Sequence, residues 1–246
     1  LWTGLTQQQS GIWYRIAPLE QPPESSLPTL SAGSMAVAES HPEIVHSFGF
    51  FSAEPATEVF DEPDSPEAFA WRESGFEAAA ASAVESANEL VFVHILRVDE
   101  AGHAHGGSSS EYEEAARSSD ALLGRLWALD DRPQTRWIVL ADHGHRDGGG
   151  HAGAEEDIRK VRACIRGPSL ALRPQLETTF SGSGSLHLVD LSRMLSESLA
   201  VGAHPRAMGR PLEAALVSQL ETVPNVHPVL LTLAVITALG SVGAGF

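Results

Sequence analysis

Cysteine is almost missing from this sequence: Cys164 is the single one among 246 residues. No disulfide can form within the chain, and no cysteine-based zinc site can be assembled. The residue sits in VRACIRG, a strand-like run, and reads as a small buried apolar side chain. Positive charge is scarce as well. Only 16 Lys and Arg stand against 32 Asp and Glu, a formal net charge of −16. A nucleic-acid binder needs Lys and Arg to meet backbone phosphates, so the balance argues against a nucleic-acid-binding surface. An acidic chain that acts on anions needs a local source of positive charge, and bound metal ions are one. No long low-complexity tract interrupts the sequence, and residue 1 is Leu, so the chain is expected to be a fragment cut at its front inside the domain. Charge is wholly absent from PVLLTLAVITALGSVGAGF, the 19 residues 228–246. That length is about what a bilayer crossing needs, so the stretch is expected to begin a transmembrane region.

What is present reads as one α/β domain. Hydrophobic residues make up 43% and charged residues 20%, enough apolar material for a sizeable core. The expected organisation is a domain over 1–216, a linker over 217–227 and the apolar segment 228–246. Residues 1–16 suggest a loop and a short helix; 17–34 are rich in Pro and Ser; 52–68 carry several acids and prolines. MAVAES (35–40) is a weak strand candidate. FEAAAASAVESANE (76–89) is Ala-rich and helical in character. LVFVHIL (90–96) and TRWIVLAD (135–142) are apolar runs that read as buried parallel strands. VRACIRG (161–167) is a third. Between the first two lies SSSEYEEAARSSDALLGRLWALD (108–130), a helix that one of its leading serines can cap. LHLVDLSRMLSESLAVG (186–202) reads as a strand end running into a helix that stops at Gly202. Strands and helices in alternation imply a mostly parallel sheet with helices on both faces.

In such sheets reactive groups gather just beyond the carboxyl ends of the strands. Two polar clusters stand there. LVFVHIL runs into a turn containing Asp99, His103 and His105, and WIVL runs into Asp142-His143-Gly144-His145, followed by His151 in a glycine-rich loop. Carboxylate oxygens and imidazole nitrogens are the usual protein ligands of zinc and related divalent ions in catalytic sites. The glycines let separate loops turn sharply and converge. His94, inside a strand, reads as a packed core side chain.

The order D-x-x-G-H-x-x-G, then D-H-G, then G-x-H resembles the alkaline phosphatase superfamily. The resemblance is to type I phosphodiesterase/nucleotide pyrophosphatase-like proteins and to the glycosylphosphatidylinositol ethanolamine-phosphate transferases. The short gap from Asp142-His143 to His151 is nearer the transferase pattern. LWTGLTQQQSGI (1–12) is similar to the T-G-x-x-P-x-x-H-G-I segment, with Gln8 and Ser10 in place of Pro and His. VDLSRMLSESLAVGAHPRAMGRPL (189–212) is similar to the segment that closes the domain. In residues 17–75 no motif of the family is recognised.

Carried over residue by residue, the resemblance implies two divalent ions, zinc first with manganese or magnesium as alternatives. Asp99, His103 and His151 would hold one; Asp142 and His143 would hold the other. His105 and His145, next to these ligands, are candidates for substrate contact or outer support. The Thr or Ser nucleophile is expected upstream of Leu1, because Thr3-Gly4 opens the chain; Thr29 falls on the wrong side of that pair. The implied activity is metal-dependent hydrolysis or transfer of phosphate esters, on a small-molecule or lipid-linked substrate, by a membrane-anchored protein with its catalytic domain outside the cytoplasm. A sulfatase-like hydrolase is an alternative, although the C/S-x-P-x-R segment it needs is not visible. A catalytically incomplete metal-binding domain is another.

Overall fold

The computed structural model describes residues 1–11, 24–39, 47–50, 75–151, 153, 155–166 and 187–210. The order of elements in them is α1 (Gln7–Ser10), α2 (Leu27–Leu30), β1 (Ser34–Ala38), α3 (Phe76–Glu85), β2 (Leu90–His94), α4 (Arg97–His105), α5 (Ser110–Leu129), β3 (Trp137–Leu140), α6 (Glu156–Arg159), β4 (Ala163–Arg166) and α7 (Leu188–Ser198).

β1 and β2 pair in parallel, with Val37 opposite Val93 and Ala38 opposite His94. Parallel strands need a long crossover, and α3 lies in the connection that supplies it. Both faces of β1 are buried because successive side chains point to opposite sides. Val37 packs with Phe76, Ala80 and Val84 of α3 and with Leu122 and Leu126 of α5. Ala36 and Ala38 face the other way, against Trp2 and Phe50. Trp2 sits edge-on to Phe50 and Phe92 at 4.8 and 4.9 Å, so the first residues of the chain close this face. β3 is covered in the same manner: Val139 packs on Leu123 of α5, and Leu140 packs on Leu191 and Met194 of α7.

The described strands form two two-stranded sheets, β1 with β2 and β3 with β4, and the second pair is not parallel as expected. β4 runs antiparallel to β3, with Ile138 opposite Ile165. Among the described residues between them, the single turn α6 is the one helical element, and the chain turns back along β3. The region 97–105 departs too: the expected turn is a helix, α4. Its start is fixed from a distance. Glu39, just past β1 and 3% exposed, accepts hydrogen bonds from the backbone N–H groups of Leu96 and Arg97 at 2.8 and 2.9 Å. These N–H groups have no partner within the helix, and a carboxylate suits the positive end of the helix dipole. Arg97 Nε closes the arrangement at 2.6 Å from Glu39, and its Nη1 donates to Ser118 of α5.

At the other end, Asp190 in the first turn of α7 accepts from the backbone and side chain of Arg210, and so ties the closing segment to the helix. Among the described residues no helix is long and apolar enough to cross a membrane. The linker 217–227 and the apolar stretch 228–246 lie outside the described residues.

Candidate metal centre

Two elements with different backbones bring the site together. On α4, Asp99 and His103 are four residues apart and therefore share a face of the helix. Opposite them is the irregular segment after β3, which contributes Asp142, His143, His145 and His151. That segment is held against the end of α4 by backbone contacts. Gly107 N–H donates to Arg146 O at 2.8 Å, and the turn closes on itself through Arg146 N–H to Gly150 O at 3.0 Å. The close approach requires a glycine at 106. Its φ is +92°, and a Cβ there would lie 2.1 Å from Asp147 O.

The side chains converge on Asp99. Its Oδ1 lies 3.1 Å from His145 Nε2, 3.6 Å from His151 Nε2 and 3.8 Å from His143 Nε2. Its Oδ2 lies 3.7 Å from His103 Nε2. The His103 and His151 Nε2 atoms are 3.0 Å apart. Asp142 Oδ2 is 3.5 Å from His143 Nε2, and the His143 and His151 rings stack at 3.8 Å. One ligand atom each from Asp99, His143, His145 and His151 fit within 4.8 Å of one another. Of the residues that the sequence singles out, Asp99, His103, Asp142, His143, His145 and His151 thus meet in one place. His105, at the exposed end of α4, is not among the clustered groups. Beside the cluster a cavity of about 230 Å³ is lined by Tyr112, His143, His145, Lys160 and Arg162, among others.

The electrostatics suit a cation. Burial drives the His143 imidazole down to about 4, with His151 adding to the effect. Burial also holds His151 below the ordinary imidazole value. Burial thus disfavours the protonated form of both rings and favours a free lone pair on each. Burial alone would raise the Asp99 carboxyl, but the contact with His145 and the charges of His103 and His143 outweigh it and hold the group below the usual carboxylate range. Asp99 Oδ1, His143 Nε2 and His145 Nε2 are buried without a hydrogen bond among the described residues. Orphaned buried polar atoms cost about 1–3 kcal/mol each. Several of them facing one point fit a divalent ion, which would satisfy them together.

Residues 29–181 match the family model described as type I phosphodiesterase/nucleotide pyrophosphatase. The chain belongs to this family. As a type I phosphodiesterase-like chain it falls in the alkaline phosphatase superfamily. Over 79 residues, 30% of the chain, it is 32% identical to GPI ethanolamine phosphate transferase 1 of Yarrowia lipolytica. The match spans 8% of that curated relative. The fold is also that of solved sulfatase structures. A 2-O GAG sulfatase superposes with a TM-score of 0.57 at 15% identity, over 92% of this chain and 64% of that one. A candidate sulfatase from Bacteroides thetaiotaomicron superposes with a TM-score of 0.58 at 16% identity and the same coverage.

Proposed function

We propose that this type I phosphodiesterase-like chain hydrolyses or transfers phosphate esters at a centre of two divalent ions. In this reading Asp99, His103 and His151 hold one ion, and Asp142 and His143 hold the other. The observation that carries it is the meeting of the α4 face with the 142–151 segment around Asp99, with buried imidazole nitrogens and a carboxylate oxygen left without hydrogen bonds. When bound, the ions would supply the positive potential that the acidic chain lacks, drawing charge from a phosphoryl oxygen and from the attacking and leaving oxygens.

The chain's own residues do the rest. α4, anchored by Glu39, fixes the spacing of Asp99 and His103. Burial disfavours protonation of His143 and His151, which suits both rings to offer a lone pair to a cation. The Thr or Ser hydroxyl that takes the phosphoryl group is proposed to be supplied by a residue other than these ligands. The substrate is proposed to be a small-molecule or lipid-linked phosphoester. The ethanolamine phosphate transferase relative supports transfer to an alcohol acceptor. The apolar stretch 228–246 supports a membrane anchor, with the catalytic domain outside the cytoplasm.

The test is hydrolysis of bis-p-nitrophenyl phosphate and of p-nitrophenyl phosphate by the full-length protein, before and after chelation. The diester is expected to be cleaved, with a loss of at least 100-fold on chelation and recovery on adding zinc. Undiminished cleavage after the metals are stripped would sink the proposal.

A further inference from the structure

We propose that His145 is a direct ligand of the ion held by Asp99 and His151, which gives that ion one imidazole more than the two-centre assignment above allots. The inference rests on that assignment and extends it. Four observations carry it. His145 Nε2 is the nitrogen nearest to Asp99 Oδ1, at 3.1 Å. The side chain is only 2% exposed, so its position is set by packing and not by solvent. Its Nε2 is buried without a hydrogen bond. The ring also lies in a fitted place: a Cβ on Gly102 would stand 2.5–2.7 Å from three of its atoms, and the Tyr112 ring packs edge-on against it at 5.5 Å. Residue 102 must be glycine for this imidazole to reach Asp99.

The other roles open to the residue fit less well. Substrate contact would need the polar atom to reach the neighbouring cavity, whereas Nε2 is sealed within the cluster. Support of Asp99 from outside would have His145 Nε2–H donate to Oδ1 across the same 3.1 Å, and the state of that nitrogen, protonated or metal-bound, is what tells the two roles apart. Packing alone would leave a buried nitrogen unsatisfied, at about 1–3 kcal/mol. Coordination accounts for all of it. Ligand atoms about 2.0–2.1 Å from a tetrahedral zinc ion stand roughly 3.3–3.4 Å from one another. Asp99 Oδ1 is 3.1 and 3.6 Å from the Nε2 atoms of His145 and His151.

The experiment labels histidine with ¹⁵N in the full-length protein and loads it with ¹¹³Cd. Direct one-bond coupling between cadmium and nitrogen is expected at His145 Nε2 and at His151 Nε2. An uncoupled, protonated His145 Nε2 beside coupled His143 and His151 would overturn the inference and leave the two-ion reading standing. Absence of coupling at every histidine would overturn the two-ion reading itself. The His145→Gln variant gives a second measure. One cadmium is expected to bind at least tenfold more weakly while the other keeps its affinity, and unchanged binding of both would count against the ligand role. Should that variant fail to fold, the coupling in the unaltered protein still decides.

Discussion

The two walls of the metal centre are built on opposite principles. One is the helix α4, whose hydrogen bonds are internal and whose first turn is anchored to the buried carboxylate of Glu39. The other is a run of irregular backbone whose glycines let it press against the end of that helix, held by a few main-chain hydrogen bonds. The helix contributes two groups, Asp99 and His103, at a spacing that helical geometry dictates. The loop contributes four, Asp142, His143, His145 and His151, at spacings that no periodicity dictates. A rigid wall sets the reference position. A wall of irregular backbone can bring more ligands to it, because each residue takes its own φ and ψ.

The largest effect expected from breaking this contrast is at the anchor. Glu39→Ala leaves Arg97 with only the more distant Glu77 carboxylate, 3.8 Å away, and two N–H groups at the head of α4 without an acceptor. Breaking a buried pair on one side costs about 3–5 kcal/mol. Urea unfolding of the metal-free protein should show a loss of about 4 kcal/mol, and the milder Glu39→Gln should lose clearly less. Equal losses in the two variants would mean that the charge, and not the capping geometry, does the work. At the end of α4 on which the loop rests, Gly106→Ala meets both the positive φ and Asp147 O at 2.1 Å. Strain of this kind costs about 1–3 kcal/mol, and the overlap adds a similar amount. A loss of about 3 kcal/mol is expected, together with weaker binding through His143 and His151. Unaltered metal affinity in Gly106→Ala would show that the loop wall does not depend on its seat against the helix.

A third measurement separates the walls by pH. His143, on the loop, has its imidazole lowered from 6.5 to about 4 by burial first and by His151 second. Between those values the unfolded chain takes up a proton that the folded chain refuses, so stability of the metal-free protein falls as pH falls through that window. The slope is at most about 1.4 kcal/mol per pH unit, and smaller to the extent that the ring still sees solvent. The His143→Asn variant should flatten the curve between pH 6.5 and about 4. An unchanged curve would mean that the ring titrates as it does in the unfolded chain.

The sequence shows some of this plainly and hides the rest for physical reasons. β1, β2, β3 and α5 follow from apolar runs and helical periodicity, which report burial directly. The D-x-x-G-H, D-H-G and G-x-H patterns mark five of the six residues that meet at the site, because ligand chemistry is written in residue type. α4 is hard to see: Val98 and Gly102 are its only buried residues, and Gly102, Gly106 and Gly107 make its sequence look like a turn. The antiparallel direction of β4 depends on the path of the connection after β3, which carries no period of its own. Glu39 is 57 residues from Leu96, so its capping role exists only in three dimensions. The inward position of His145 depends on Gly102 and Tyr112, on the opposite wall, and nothing in its own spacing from His143 signals it.

The smallest expected effect lies at the seam between the walls. Ser109 caps α5: its Oγ accepts from Tyr112 N–H at 3.1 Å and donates to Gly106 O at 2.8 Å. One hydroxyl therefore ties the start of α5 to the glycine on which the loop rests, and Tyr112, one turn on, packs against His145. Removing an N-cap side chain costs about 1 kcal/mol. Ser109→Ala should lower unfolding stability by about that amount, and Ser109→Asp, which keeps an acceptor for the Tyr112 N–H, should restore most of it. If the seam also sets the loop, metal affinity should fall in Ser109→Ala, because Tyr112 and Gly106 shift together. Restored stability in Ser109→Asp with metal affinity still reduced would assign the coupling to the bond donated to Gly106 O, since a carboxylate cannot make it. Full recovery of both would show that α5 needs only a cap, and that the loop finds its place against α4 without help from this hydroxyl.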